Sequence, residues 1–296
     1  MDKIINKYDC KTKLKIDNSY FKFHPYYKKC LYNESDINIY NFGYKIIENK
    51  NSFNDFFNDV DYNNFLNDVE KINNLFQGGN LEFGGGQNGQ VILSRLKKNI
   101  IINNKNIINN LYKKLLPSVE EKIYNSKIKV VDINAYKSCI NNLKECYSSW
   151  LWHFDNHPNE MIKIMVYLTD VNEESSPMEI ILDENDNPIK LVSDRLFKND
   201  FKKETRQFFN NQYNGNRISD KDISELKNMG YKTKKIYGKK GTIILFSENI
   251  IHRATYPKTK ERNVINTVIS PTLKDQNYID EYNTKINSVK FFWFEE

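Results

Sequence analysis

The chain has 296 residues, of which 39% are hydrophobic and 14% aromatic, which is enough to bury the core of one sizeable domain. Its 44 basic and 38 acidic residues are intermixed, so lysine clusters such as that at 232–240 indicate a solvated face and no specific nucleic-acid site. The amino terminus lacks a signal-peptide core and no run is long enough to span a membrane, so we expect a cytoplasmic protein. Four cysteines without a CxxC pair indicate free thiols.

Residues 1–125 are predicted to be a mixed, mostly helical region that begins with short strand-like pieces such as 20–23. Apolar residues recur at helical spacing over 53–76, which predicts one core-facing helix. The segment 78–89 holds six of the 11 glycines but lacks the order of a phosphate-binding loop. It predicts a flexible loop, with an active-site flap as the alternative. A second helix is expected over 103–116, ending at Pro117, with helical turns to about 124.

Strands dominate the rest of the chain. We expect them at 128–136, 161–168 and 178–182, and again at 241–246 and 261–270. A charged insertion at 184–236 contains a helix that starts near Ser219 and Asp222 and ends at Gly230. Insertions of this length between strands commonly shape a substrate entrance.

The most informative motif is Trp-His-Phe-Asp, which contains His153 and Asp155. Residues i and i+2 of a strand point to the same side, so both side chains face one ion while Phe154 turns to the opposite layer. His252 follows the strand predicted at 241–246 and supplies a third ligand. Two imidazoles and one carboxylate suit non-heme Fe(II) and leave coordination positions open. An isolated His-x-Asp also arises by chance in turns and caps, and that remains the alternative.

Arg262 lies ten residues after His252, at the start of the last predicted strand. A guanidinium can bind a carboxylate through two parallel hydrogen bonds, a geometry that lysine cannot reproduce. This placement predicts an acidic small molecule beside the metal.

Together these residues resemble the Fe(II)- and 2-oxoglutarate-dependent dioxygenases, most nearly the phytanoyl-CoA dioxygenase-like branch. The family pattern is HxD, a long gap, a distal histidine and an arginine about ten residues on, and residues 128–272 carry all of it. The resemblance implies iron bound by His153, Asp155 and His252, and the distal carboxylate of 2-oxoglutarate bound by Arg262. Related halogenases replace the aspartate of HxD by a small residue, so Asp155 predicts hydroxylation.

The resemblance also implies a double-stranded β-helix, or jelly roll, which is mainly β with helical additions. We expect a single domain over 1–296, in which 1–125 packs on a jelly-roll core at 128–272. The core carries the insertion 184–236, and 273–296 forms a tail.

Three further residues are candidate cosubstrate ligands. Asn134 lies on the strand before HxD, where relatives such as ectoine hydroxylase carry an asparagine. Lys163 and Tyr167 share one face of the strand 161–168, and an inward Lys163 needs an anionic or metal-site partner. An edge-exposed lysine is the alternative. Of the other two histidines, His24 is expected to be a surface or packing residue. His157 is expected to lie in a solvent-facing loop, and contact with the substrate is the alternative.

The expected reaction consumes O2 and 2-oxoglutarate, releases succinate and CO2, and hydroxylates a small molecule. A protein- or nucleic-acid-modifying dioxygenase would share the metal site but needs an open groove. A non-catalytic jelly-roll binding module would share the fold alone.

Overall fold

The computed structural model describes residues 39, 42–126, 128–143, 148–157, 159–191 and 216–271. These residues form a mainly β structure with helical additions, as the sequence predicted. The predicted strand at 20–23, His24 and the tail 273–296 lie outside the described residues. The strands are β1 (Tyr44–Ile47), β2 (Leu81–Gln87), β3 (Gln90–Leu96), β4 (Ile128–Ser138), β5 (Ile162–Tyr167), β6 (Met178–Leu182), β7 (Lys232–Ile236), β8 (Ile243–Ser247), β9 (His252–Ala254) and β10 (Arg262–Pro271). The helices are α1 (Lys50–Phe56), α2 (Tyr62–Asn74), α3 (Lys98–Asn103), α4 (Lys105–Val119) and α5 (Asp220–Asn228).

The strands form two antiparallel sheets that share a core. The larger has the order β1-β8-β5-β10-β4-β3-β2 and the smaller has the order β7-β6-β9. Met165 and Val264 of the large sheet pack in one buried cluster with Met178 and Ile180 of the small sheet. This face-to-face packing is the jelly-roll arrangement expected from the sequence.

Helices cover the outer faces of both sheets. Side chains of α2 and α4, such as Val69 and Leu115, share a buried cluster with outward-facing residues of β5 and β10, such as Ile164 and Ile265. On the small sheet, Ile181 packs with Phe154 and with Leu226 of α5. Each outer face is therefore buried, and a site can form between the inner faces of the two sheets.

Most predicted strands were placed correctly, and 178–182 coincides with β6. The helix expected near Ser219 is α5, whose amino terminus is capped by the Ser219 hydroxyl through the backbone N–H of Asp222 at 3.2 Å. The insertion predicted at 184–236 was too long, because its last residues form β7 and pair with β6. Residues 192–215 of that segment lie outside the described residues. None of the described helices is long and apolar enough to cross a membrane.

The single helix predicted over 53–76 was wrong, because the chain forms α1 and α2 with a break at 57–61. Asp59 adopts a left-handed backbone with a φ of 57°. Asp61 then caps α2, its side chain accepting the Asn64 N–H at 2.7 Å. The apolar spacing marked the buried face correctly, but a local cap within the run started a second helix.

The predicted end of the next helix at Pro117 was too early, but the helical turns predicted to about 124 were correct. α4 contains Pro117 and continues to Val119, and a π-helical turn follows at Glu120–Tyr124. Proline has no N–H to donate, so the helix continues through Pro117 with one intrahelical hydrogen bond fewer.

The glycine-rich segment 78–89 is not a flexible loop. After a 3-10 turn at Gly78–Asn80 it forms β2, which pairs with β3 around a turn at Asn88 and Gly89. Both turn residues have positive φ, 51° and 74°, which is the backbone of a tight hairpin turn. A Cβ on Gly86 would lie 2.2 Å from the Gln90 carbonyl oxygen, so close strand pairing requires glycine there.

Candidate active site

A cavity of about 340 Å³ lies at the inner face of the large sheet. Its lining includes His153, Asp155 and His252, and it also includes Arg262. The structure thus brings the four residues of the sequence motif to one cavity of the size that small-molecule sites commonly have.

Backbone pairing sets the spacing of the two histidines. The N–H of His153 donates to the carbonyl of His252 at 2.9 Å, and the N–H of His252 returns a bond of 2.8 Å. The N–H of Asp155 donates to the Glu248 carbonyl at 2.9 Å, so the HxD segment runs antiparallel to residues 248–252. Phe154 points away into the cluster beneath the small sheet, as the strand alternation predicted.

Each imidazole is held with one nitrogen facing the cavity. Nδ1 of His153 lies 2.7 Å from the Leu151 carbonyl, and Nδ1 of His252 lies 2.9 Å from the Ile250 carbonyl. A carbonyl accepts hydrogen bonds, so each Nδ1 carries the proton and each Nε2 keeps a lone pair. Burial lowers the pKa of both imidazoles, which keeps them neutral. Neutral rings fixed in this way are suited to metal coordination.

The carboxylate of Asp155 completes a possible ligand set. Its Oδ1 lies 3.9 Å from Nε2 of His153 and its Oδ2 lies 3.7 Å from Nε2 of His252. Ligand atoms of the three residues all lie within 4.8 Å of one another. These donors, with two oriented nitrogens and one oxygen, fit a divalent ion such as Fe(II).

Asp155 belongs to a mostly buried network of charged side chains. Lys163 Nζ lies 2.6 Å from Asp155 Oδ2 and 3.3 Å from Glu248 Oε1, and Glu248 Oε2 lies 2.5 Å from Nδ1 of His157. Burial opposes the ionisation of Asp155, but the adjacent ammonium group of Lys163 outweighs it and holds the pKa of Asp155 far below its usual value. Burial likewise lowers the pKa of Lys163, but Asp155 and Glu248 more than reverse this and raise it.

This network decides between the alternative positions that the sequence allowed for Lys163 and His157. Lys163 lies on β5 between β8 and β10 in the middle of the sheet and faces the cavity, so the edge-exposed alternative was wrong. His157 lines the cavity and its ring bonds to Glu248, so the solvent-facing interpretation was wrong as well. A loop residue beside a proline gave no sign of a partner that lies 91 residues later in the chain.

Arg262 is only 1% exposed and has unused hydrogen-bonding capacity. Its Nη2 donates a long bond of 3.4 Å to Ser138 Oγ, while Nε and Nη1 are buried without a hydrogen-bond partner. Such groups are costly unless a ligand satisfies them. A carboxylate in the cavity would accept from this guanidinium, so the site fits the distal carboxylate of 2-oxoglutarate.

The two remaining candidate cosubstrate ligands occupy different positions. Asn134 lines the cavity next to Asn266 of β10, its cross-strand neighbour. Tyr167 is fully buried and donates from its hydroxyl to the Ile236 carbonyl at 2.9 Å. Burial raises the pKa of Tyr167 to about 12, with the nearby Arg262 acting in the opposite direction. Tyr167 is not part of the cavity lining, so its contact with the cosubstrate stays a prediction.

The structure adds residues that the sequence interpretation missed. Glu248 is fully buried directly after β8, and Asp132 lines the cavity on β4. Asp132 shares its face of β4 with Asn134, so the period-2 alternation that selected Asn134 contained a signal for Asp132 too. The burial of Glu248 had no sequence signal.

Residues 148–263 match the family model of phytanoyl-CoA dioxygenase (PhyH). The match covers 116 of the 296 residues, and this segment is similar to the PhyH dioxygenase family. The match includes all three candidate metal ligands and ends one residue after Arg262. The resemblance found in the sequence is confirmed by this match, and the site has the ligand set expected for Fe(II) and the guanidinium expected for 2-oxoglutarate. No curated protein sequence matches the chain.

Several solved structures are similar to this chain. The non-heme α-ketoglutarate-dependent carbocyclase SnoK from nogalamycin biosynthesis has a TM-score of 0.48 at 10% identity, covering 87% of this chain and 85% of that one. The epimerase SnoN from the same biosynthesis has a TM-score of 0.44 at 12% identity, covering 81% and 84%. HygX from Streptomyces hygroscopicus, with nickel and 2-oxoglutarate bound, has a TM-score of 0.44 at 13% identity, covering 78% and 84%.

Proposed function

We propose that the protein is an Fe(II)- and 2-oxoglutarate-dependent oxygenase that hydroxylates a small molecule. His153, Asp155 and His252 hold the metal, and Arg262 binds the distal carboxylate of the cosubstrate. The observation that carries this proposal is the shared cavity: two oriented Nε2 atoms and a carboxylate line the same enclosure as a buried, unsatisfied guanidinium.

With iron and 2-oxoglutarate bound, the site supplies the oxidising power for hydroxylation by coupling oxygen reduction to decarboxylation of the cosubstrate. The residues of the chain bind and orient the reactants. Arg262 fixes one end of 2-oxoglutarate, and Lys163 keeps Asp155 ionised and in place. Met165, Phe246 and Trp150 line the cavity with apolar surface, which limits the water that reaches the reacting groups.

The cavity favours a small-molecule substrate over a nucleic acid. Basic side chains near β7 are already paired with acidic ones: Lys235 lies 2.6 Å from Glu173, and Lys239 lies 3.0 Å from Asp170. Fewer unpaired positive charges are therefore available to bind phosphates than the lysine cluster at 232–240 suggested.

Metal content and cosubstrate turnover test the proposal. Wild-type protein should bind one Fe(II) per chain and release succinate from 2-oxoglutarate only when iron is present. His153→Ala and His252→Ala should each lose the iron, because removal of one of three protein ligands leaves an incomplete site. His157→Ala is the matched control, since its Nδ1 is bonded to Glu248, and it should retain iron. Equal iron content in all three variants would refute the ligand assignment.

A further inference from the structure

Asp132 is a carboxylate in the cavity that neither the metal site nor the cosubstrate site uses. It lies on β4 opposite Val268 of β10, and Val268 is in turn opposite Lys163 of β5. Asp132 and Lys163 are therefore two strands apart, about 10 Å between Cα atoms, on the same inner face.

Lys163 forms its ion pairs with carboxylates other than Asp132. Its ammonium group is bound to Asp155 at 2.6 Å and to Glu248 at 3.3 Å. Within the described part of the chain, Asp132 has no ion pair, and the side-chain donor nearest to it is the amide of Asn134 at a long 3.5 Å. Burial raises the pKa of Asp132 and outweighs the opposing charge of Lys163, which acts on this carboxylate without pairing with it.

When iron and 2-oxoglutarate are bound, the negative charge of Asp132 has no compensating positive charge among the enclosed groups of the cavity. A divalent ion and the 2-oxoglutarate dianion cancel each other, and Arg253 of the lining is paired with Glu179. Arg262 and Lys163 then compensate two of the three carboxylates Asp132, Asp155 and Glu248. A cation bound at Asp132 would therefore balance the enclosed part of the cavity. Arg95 also lines the cavity, but it is exposed, so solvent already satisfies it and it selects an anion less strongly.

We propose that the primary substrate is a small molecule with a protonated amino group, which Asp132 binds through a charge-assisted hydrogen bond. This inference rests on the proposed function and names the substrate class of the same site. The amine orients the substrate, so the carbon to be hydroxylated is at a fixed distance from that nitrogen.

The test uses L-lysine, L-ornithine, L-arginine and putrescine as probes, each beside forms acetylated at one amino group, which lack the positive charge at that nitrogen. Binding to wild-type protein loaded anaerobically with Fe(II) and 2-oxoglutarate is measured by calorimetry, and stimulated succinate release is measured in air. At least one amine should bind and stimulate turnover, and acetylation of the amine that binds Asp132 should weaken binding at least tenfold.

Variants separate recognition by Asp132 from a structural effect. Asp132→Asn keeps the side-chain shape and should weaken binding of the active amine at least tenfold while the acetylated form changes little. Asp132→Glu keeps the charge and should restore part of the loss. Arg95→Gln, the matched change of the other uncommitted charge in the cavity, should alter amine binding less than threefold.

The outcomes distinguish this inference from the proposed function. If wild-type protein does not bind 2-oxoglutarate, the proposed function fails. If 2-oxoglutarate binds but no amine does, or only neutral or anionic compounds stimulate succinate release, the assignment of an amine substrate is overturned. An active amine whose affinity is unchanged by N-acetylation overturns it even where Asp132→Asn does not fold.

Discussion

The ammonium group of Lys163 lies 2.6 Å from Oδ2 of Asp155, so a candidate metal ligand already has a cationic partner within the protein. Lys163 also contacts Glu248, and their side chains are 17% and 0% exposed. This pairing allows a carboxylate to remain ionised in a mostly buried site before any metal arrives.

The first prediction concerns Lys163→Met, which keeps the apolar stem and removes the charge. In metal-free protein Asp155 and Glu248 then lose their shared cation, and the free energy of unfolding should fall by about 2 to 3 kcal/mol, below the full cost of breaking a buried pair. Fe(II) should restore much of the loss, because the ion neutralises Asp155. Chemical denaturation with and without Fe(II) under anaerobic conditions measures both quantities.

The control for this experiment is Lys239→Met, the same change in the exposed pair with Asp170. It should cost less than about 1 kcal/mol and be insensitive to Fe(II). An equal loss in Lys163→Met with and without metal would mean that Lys163 supports the fold independently of the metal site.

Replacement of Arg262 by leucine should separate stability from cosubstrate binding. Affinity for 2-oxoglutarate should fall about ten- to a hundredfold, because a charge-assisted pair worth about 1.5 to 3 kcal/mol is lost. Without cosubstrate, the variant should be no less stable than wild type, because two of the guanidinium nitrogens are buried without a partner. Calorimetric titration and thermal unfolding provide the two measurements.

Arg262→Lys is the companion variant, because it keeps the charge but loses the forked donor geometry. It should recover only part of the affinity, and iron content should match wild type in both variants. If leucine leaves 2-oxoglutarate affinity unchanged in folded protein, another basic residue binds the carboxylate, and Lys163 is the next candidate.

Asp155 predicts the type of product. Because a carboxylate occupies the position that is small in related halogenases, product formed in high chloride should carry oxygen or a new double bond and no chlorine. Mass spectrometry of the product measures this once an active substrate is found. Asp155→Gly should lose hydroxylation, and a chlorinated product from the wild-type protein would show that Asp155 does not bind the metal.

The hairpin of β2 and β3 provides a prediction about stability. Gly86→Ala places a methyl group 2.2 Å from the Gln90 carbonyl oxygen, a backbone atom that cannot move aside freely, so about 1 to 3 kcal/mol of stability should be lost. Gly79→Ala is matched to it, since a Cβ there has no neighbour within 4 Å and its φ is −78°. Equal midpoints of denaturation for both variants would contradict the strand pairing.

The sequence identified the metal-binding and arginine positions because their spacing reflects strand geometry. His153 and Asp155 are two residues apart on one extended segment, and Arg262 begins β10 where the β-branched run predicted a strand. The same local reasoning missed the contact between His157 and Glu248, which joins residues far apart in the chain. Only the fold brings such partners together.

The ends of several helices and strands are set by caps and turn residues, which the spacing of apolar residues does not reveal. The break between α1 and α2 depends on a cap at Asp61, and the β2–β3 hairpin depends on the turn residues Asn88 and Gly89. An asparagine-glycine pair is a known hairpin signal, so the second error was avoidable, whereas an aspartate within an amphipathic run seldom identifies a helix start by itself.

The mutual backbone bonds of His153 and His252 make the length of the chain between Glu248 and His252 as important as the ligands themselves. A single residue inserted or deleted there would shift the antiparallel register by one position and turn His252 toward the outer layer. All three candidate ligands would still be present in such a protein, yet the proposed metal site would be lost. Tolerance to insertions in this segment should therefore be far lower than in the exposed turn at 183–187, where a change of length leaves the register of the ligand strands intact.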